Sequence, residues 1–283
     1  MPILRTRAKV MEPLAWAFPP EALDDHQLRH LPAEQSVPAS AQRPPLLFVH
    51  GLGHGNWVFD EHWLPAAAAQ GFDAYAVSLR GHPGAPSAAE RPTLRDYTHD
   101  VLQAIAALPA PPVLIGHSMG ALVVQRVLER YPARGAALVT PLGDRHGFGV
   151  AARLARRAPA QLARALVGLP LRFEARHLFA GLDAHEADRH IRRQVRDSSV
   201  SQYQTVLPRR RHTARCPVLV LGAADDALVP PADIVRTARR YGSTARFLAG
   251  GHALMLDRDW SRPLQVLLDW VDAIPDPPRP AVR

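Results

Sequence analysis

Six short apolar runs alternate with longer stretches of helical character from Leu46 onward, and that rhythm leaves few folds open to the chain. The runs are "PLLFVH" (45–50), "DAYAVSL" (73–79), "PVLIGH" (112–117), "AALVTP" (136–141), "PVLVLG" (217–222) and "ARFLAG" (245–250). Each is too short for a stable helix and rich in Val, Leu or Ala, as expected of strands covered by helices on both faces. Helical stretches fall near 61–70, 94–108, 119–131, 231–241 and 260–273. Strand–helix alternation of this kind predicts an α/β fold with a mostly parallel, helix-covered sheet.

The rhythm breaks once. Residues 142–212 carry no strand pattern, only Arg-rich amphipathic candidates such as "GVAARLARRAPAQLARALVGL" (149–169). In these, Leu154, Leu162, Leu166 and Leu169 make an apolar face opposite the arginines, and with Phe148 and Phe179 nearby they are expected to form an apolar roof over a pocket. A segment of that length is too long for a plain loop. It is therefore expected to be an inserted helical cap, with 1–141 and 213–283 forming the core. Residues 1–40 are expected to add a strand or hairpin at the sheet edge, and the Pro-rich tail after Ile274 to be disordered.

Composition narrows the function classes. No apolar run approaches the ~18–20 residues of a membrane-spanning helix, so no membrane partner is expected. The start, "MPILRTRAKVMEPLAWAF", has basic residues but no continuous apolar segment behind them, which argues for a cytoplasmic protein. The single cysteine, Cys216, agrees with that compartment and reads as buried filler. The net charge is +8, and it is localised: Arg145 to Arg215 holds fifteen arginines against five acids, a local +10, while the remainder is at −2. No helix-turn-helix, RNA-binding or zinc-finger signature accompanies it, so nucleic acid is not expected as a partner. The excess reads as a solvated helix face, with a docking surface for an acidic carrier protein as the alternative.

The chemistry is concentrated at "GHSMG" (116–120), a G-x-S-x-G sequence between a strand and a helix. Glycines let the backbone turn sharply and lift the Ser118 hydroxyl above the strand end. Strain at such a turn persists where the side chain has work to do. A lone serine is a poor nucleophile and needs a base oriented by an acid. His252 follows the last strand on a flexible Gly-Gly turn, at the sheet edge where ligands gather in open α/β folds. Asp225 and Asp226 occupy the equivalent position after the preceding strand. His117 is expected to point away from the serine face as a packing or hydrogen-bonding residue. His82 lies in a turn, and His26, His30 and His99 have no motif around them.

An oxyanion formed at Ser118 also needs donors. The Met119 N–H at the start of the following helix is one. The Gly-rich loop "HGLGHGNW" (50–57) provides the other, assigned to the Leu52 N–H because Gly51 leaves the backbone room to face the serine. The loop lacks the G-K-[ST] ending of a phosphate loop.

With "HGLGHGNW", "SLRGHPG" (78–84), "GHSMG", "LGAADDALVPP" (221–231) and "GGHALMLD" (250–257) in this order, the chain resembles the α/β-hydrolase superfamily over roughly 45–272. The resemblance implies Ser118 as nucleophile, His252 as base, and an aspartate after the penultimate strand as acid. The family's D-x-x-V-P pattern falls on Asp226, which is preferred over Asp225; Asp144 is a further candidate, because some members carry the acid there. The "HG-x-x-HG-x-W" loop is similar to that of plant methylesterases and hydroxynitrile lyases, and "GHSMGA" to the elbow of thioesterases serving carrier proteins. The expected activity is hydrolysis of a small-molecule carboxylic ester through an acyl-enzyme, with no cofactor and no metal. A carrier-protein or coenzyme A thioesterase, or a lyase, carbon–carbon hydrolase or cofactor-free oxygenase reusing the same residues, are the alternatives.

Overall fold

The computed structural model describes residues 23, 25–34, 43–85, 91–131, 133–142, 147–208 and 213–275. Among these, seven strands form one sheet: β1 (Leu28–Leu31), β2 (Leu46–Val49), β3 (Ala74–Val77), β4 (Val113–His117), β5 (Gly135–Val139), β6 (Val218–Ala223) and β7 (Ala245–Leu248). Their spatial order is β1-β3-β2-β4-β5-β6-β7. β1 runs antiparallel to β3, and every other neighbouring pair is parallel.

The helices around the sheet are α1 (Trp57–Asp60), α2 (Trp63–Ala69), α3 (Leu94–Ala107), α4 (Met119–Leu128), α10 (Pro231–Arg240) and α11 (Ser261–Asp272). Between β5 and β6 the described chain runs through α5 (Phe148–Arg157), α6 (Pro159–Leu166), α7 (Ala175–Leu178), α8 (Ala184–Arg192) and α9 (Ser199–Val206), with no strand. Local chemistry sets several boundaries. Thr93 and Asp96 close a reciprocal capping box at the start of α3. That helix stops at the "PAPP" run (109–112), whose prolines cannot donate to a preceding turn.

β2 to β6 are buried along their whole length, as the apolar runs predicted. β7 departs from that expectation. It is an edge strand with Arg246 and Phe247 exposed, because among the described residues no further strand pairs beyond it. β1 lies within the segment expected to add an edge strand, while residues 1–22 and most of the tail after Ile274 fall outside the described residues.

An aromatic cluster packs on β2 within the core. Phe48 is fully buried and packs against Phe59 at 5.0 Å and Trp63 at 6.1 Å between ring centroids. Phe48→Ala should cost about 3–5 kcal/mol of stability, because well-packed neighbours cannot collapse into the space. Urea denaturation would read this as a lower midpoint at unchanged slope.

All parallel strands point their C-terminal ends to one edge. His50, Ser118, Thr140, Asp226 and His252 follow the ends of β2, β4, β5, β6 and β7 respectively. Five connections therefore converge where the backbone leaves the sheet.

Candidate active site

Ser118 stands between β4 and α4 at φ +54°, ψ −115°, a conformation rare for a residue with a side chain. The turn is held by Ser118 N–H donating to the Val139 carbonyl at 2.9 Å and Ala121 N–H donating to the Ser118 carbonyl at 3.1 Å. Both elbow glycines are sterically required. A Cβ on Gly116 would lie 2.6 Å from Ala121 Cα, and one on Gly120 would run into the Val49 and His50 carbonyls.

Three buried side chains form a row. His252 Nε2 lies 2.9 Å from Ser118 Oγ, and His252 Nδ1 lies 2.9 Å from Asp226 Oδ2. The other carboxylate oxygen, Oδ1, accepts the Leu228 and Val229 N–H groups at 2.7 and 2.9 Å. An acceptor-only carboxylate requires the proton on His252 Nδ1, which leaves Nε2 bare and facing the serine hydroxyl. The neighbouring Asp225 is exposed and meets Gly250 through its backbone N–H, so the structure brings Asp226 rather than Asp225 to the histidine. Asp144 lies outside the described residues.

His252 is fixed through its backbone as well. Its carbonyl accepts from Thr140 Oγ1 at 3.0 Å and His117 Nε2 at 3.1 Å. His117 is thus the hydrogen-bonding residue expected, but it does not turn clear of the site. Its ring lies 5.0 Å from that of His252, because the loop carrying His252 crosses the end of β4. The Gly-Gly turn serves close packing rather than flexibility: a Cβ on Gly251 would lie 2.6 Å from the Leu178 carbonyl.

Sequence reading passed over Asp257, whose carboxylate organises this loop. Oδ2 accepts Gly251 N–H at 2.6 Å and Ala180 N–H at 2.8 Å, while Oδ1 accepts Gly181 N–H at 2.8 Å. The one available signal was its place at the end of "GGHALMLD".

The "HGLGHGNW" loop lies beside the serine, with Gly51 directly against the Ser118 side chain. His50 donates from Nδ1 to the Gly51 carbonyl at 2.9 Å and accepts the Leu79 N–H on Nε2 at 3.1 Å. That pairing requires a neutral ring, and burial, aided by nearby His82, holds its pKa well below the ordinary value. Burial, with His252 close by, likewise pushes His54 down to about 3. Met119 is buried at the first position of α4, where helix N–H groups have no intrahelical acceptor.

A cavity of about 500 Å³ opens over the row. Leu52, Ser118, Leu228 and His252 line its floor, and Phe148, Leu154, Leu162, Leu166, Leu171 and Phe173 line walls from the helical segment. Two expected contributors are elsewhere. Leu169 is 46% exposed beyond the end of α6, and Phe179 packs its ring 5.7 Å from His190. Among the described residues no three His, Cys, Asp or Glu side chains converge as a metal site would require. Nor is any described helix long and apolar enough to cross a membrane.

The profile of the Alpha/beta hydrolase family matches residues 46–270, the stretch that holds both the sheet and the row. The chain belongs to the Alpha/beta hydrolase family. Esterase PIR7B of Oryza sativa subsp. japonica is 34% identical over 105 residues, 36% of this alpha/beta hydrolase and 39% of the relative. Norfluorocurarine synthase 1 of Strychnos nux-vomica is 32% identical over 103 residues, 35% of this chain and 38% of the relative. The chain is thus matched over less than two fifths of the length of these curated relatives. A soluble variant of monoglyceride lipase from Saccharomyces cerevisiae superposes with a TM-score of 0.69 at 14% identity, covering 88% of this chain and 92% of that one. At that identity the likeness speaks for the fold.

Proposed function

We propose that this alpha/beta hydrolase cleaves carboxylic esters through an acyl-enzyme on Ser118. The observation that carries the reading is the Ser118–His252–Asp226 row opening into an apolar cavity. His252 takes the Ser118 proton as Oγ attacks the ester carbonyl carbon. The N–H groups of Leu52 and Met119 hold the oxygen that becomes negative. As the tetrahedral intermediate collapses, His252 returns the proton to the departing alcohol. A water then gives its proton to His252, attacks the acyl carbon and frees the acid, restoring Ser118. Asp226 keeps the imidazole in the needed tautomer and stabilises it when charged. Residues 142–212 act as a cap on a core of 1–141 and 213–283 and supply the acyl pocket.

The apolar walls favour a longer acyl group. Each buried methylene contributes about 0.8 kcal/mol, so p-nitrophenyl hexanoate should exceed the acetate in kcat/KM by at least ~10-fold. A series from acetyl to octanoyl, with benzoyl alongside, tests this. Acetate outpacing every longer or aromatic ester would reject the pocket assignment.

The arginine excess supports a second reading, a thioesterase that receives its acyl group from an acidic carrier protein. Several of these arginines are already engaged: Arg189 with Glu61, Arg176 with Glu174, and Arg193 over the Trp57 ring. Salt should weaken a carrier-protein reaction while sparing a neutral ester, since screening acts on the docking step. Equal salt responses of the two substrates would leave the ester reading alone.

A further inference from the structure

Asp197 lies between α8 and α9, far in sequence from the proposed catalytic residues, yet its side chain reaches the loop after β2. Its Oδ2 accepts the Gly53 N–H, and Val195 N–H donates to the Gly53 carbonyl at 3.0 Å. Both polar groups of Gly53 are thus taken by the helical segment. On the other side of Leu52, the Gly51 carbonyl is held by His50 Nδ1. Because peptide units are planar, fixing the Gly51 carbonyl sets the direction of the Leu52 N–H opposite it. The Asp197 contact fixes the next peptide, so Leu52 is gripped from both flanks.

Asp197 has a partner of its own. His82 Nε2 lies 2.8 Å from Asp197 Oδ1, while His82 Nδ1 faces the Leu79 and Arg80 carbonyls at 3.1 and 3.2 Å. Every neighbour of both ring nitrogens is an acceptor, so the ring meets them all only as an imidazolium. His50, 4.7 Å away, is neutral by the opposite logic. The pair is buried, with His82 at 4% and Asp197 at 8% exposure.

We infer that Asp197, paired with protonated His82, is a positioning residue that clamps the oxyanion loop from the helical segment and holds the Leu52 N–H in its working direction. The inference rests on the proposed ester hydrolysis and adds to it a dependence of the oxyanion donor on the cap. Burial opposes a charge on His82, but the Asp197 carboxylate and the two carbonyls outweigh it and raise its pKa. The other ionisable groups facing the pair do not compete. Tyr97, 5.7 Å from His82, is pushed up by burial and stays neutral, His54 is neutral, and Arg80 is paired with buried Asp100. Arg91 and Arg196 line the same cleft as His82 and Asp197 and present cations toward the carboxylate side of the pair.

The sign for pH follows from the raised pKa. The clamp is complete below the ordinary histidine value and is lost as pH rises through the raised one. In the wild type, kcat is therefore expected to fall on the alkaline side.

The test measures kcat and KM separately on a p-nitrophenyl ester. It also compares the affinity for a boronic acid, which adds Ser118 Oγ to boron and places an oxygen in the oxyanion site, with that for the product acid. Asp197→Ala is expected to lower kcat on the order of 10²-fold, comparable to loss of an oxyanion donor. KM should stay within about 3-fold, and boronate affinity should fall with kcat while product affinity holds. Asp197→Asn keeps an acceptor for Gly53 and suits a neutral His82, so it should recover most of the activity and lose the alkaline decline. Should the alanine variant not fold, Asp197→Asn and His82→Gln carry the test through their pH profiles. Unchanged kcat in a folded Asp197→Ala protein, or Asn and wild type sharing one alkaline limb, would overturn the clamp. A wild-type enzyme inert to esters and to fluorophosphonates would instead reject the proposed function.

Discussion

Ser118→Ala is expected to lower ester-hydrolysis kcat by about 10⁵–10⁶-fold, the scale on which serine enzymes lose activity when the nucleophile is removed. Covalent labelling by a fluorophosphonate probe should disappear with it. The fold should survive, since the change deletes one buried hydroxyl, and the backbone hydrogen bonds of the elbow, Ser118 N–H to Val139 and Ala121 N–H to the residue 118 carbonyl, do not involve the side chain. Thermal unfolding within a few degrees of the wild type would confirm that the loss is chemical. Retained labelling in the folded variant would remove Ser118 from the nucleophile's role.

Asp226→Asn is expected to cost on the order of 10⁴-fold in kcat, by analogy with other triads. The structure supplies the reason. Leu228 and Val229 both donate to Oδ1, so an asparagine must keep its oxygen there and turn its NH₂ toward His252 Nδ1. The imidazole then accepts at Nδ1 and carries its proton on Nε2, where it opposes the Ser118 hydroxyl and cannot act as base. Asp225→Asn, at an exposed side chain, should leave kcat within about 3-fold of wild type. A reversed ranking of the two variants would move the acid to Asp225.

Much of the fold was legible because a sheet covered on both faces writes itself as short continuous apolar runs, and a surface helix as a 3.6-residue stripe. β2, β3 and β4 fall inside the predicted runs for that reason, and β5 and β6 overrun theirs by one residue each, at Gly135 and Ala223. β7 was misjudged as buried, since "ARFLAG" resembles an interior strand by composition and only its place at the sheet edge exposes Phe247. The short helix α1 was missed because four residues are too few for a periodicity to register. Leu169 was counted into the cavity on helical spacing, but α6 ends at Leu166 and the spacing no longer applies beyond it.

The candidate site divides the same way. Ser118 was readable because an elbow needs glycines at fixed offsets, and His252 because it follows a strand on a Gly-Gly turn. These are local demands of the backbone, and a linear sequence records them. The choice between Asp225 and Asp226 was left to a family pattern. It depends on how the turn after β6 aims two adjacent side chains, which the Leu228 and Val229 N–H groups determine.

Asp197 lies in no motif, and the stretches that hold His82 and Asp257, "SLRGHPG" and "GGHALMLD", say nothing of their roles, since the partners lie far away along the chain: Asp197 meets Gly53 144 residues off, and Asp257 meets Ala180 at a separation of 77. By itself the sequence determined the sheet, the elbow and the kinds of side chain available at the sheet's C-terminal edge, because short-range sterics and burial periodicity act on neighbours. Only the tertiary structure decided which buried carboxylate meets which donor, because an unpaired charge away from water is costly and its partner can come from any segment that folding brings within about 3 Å.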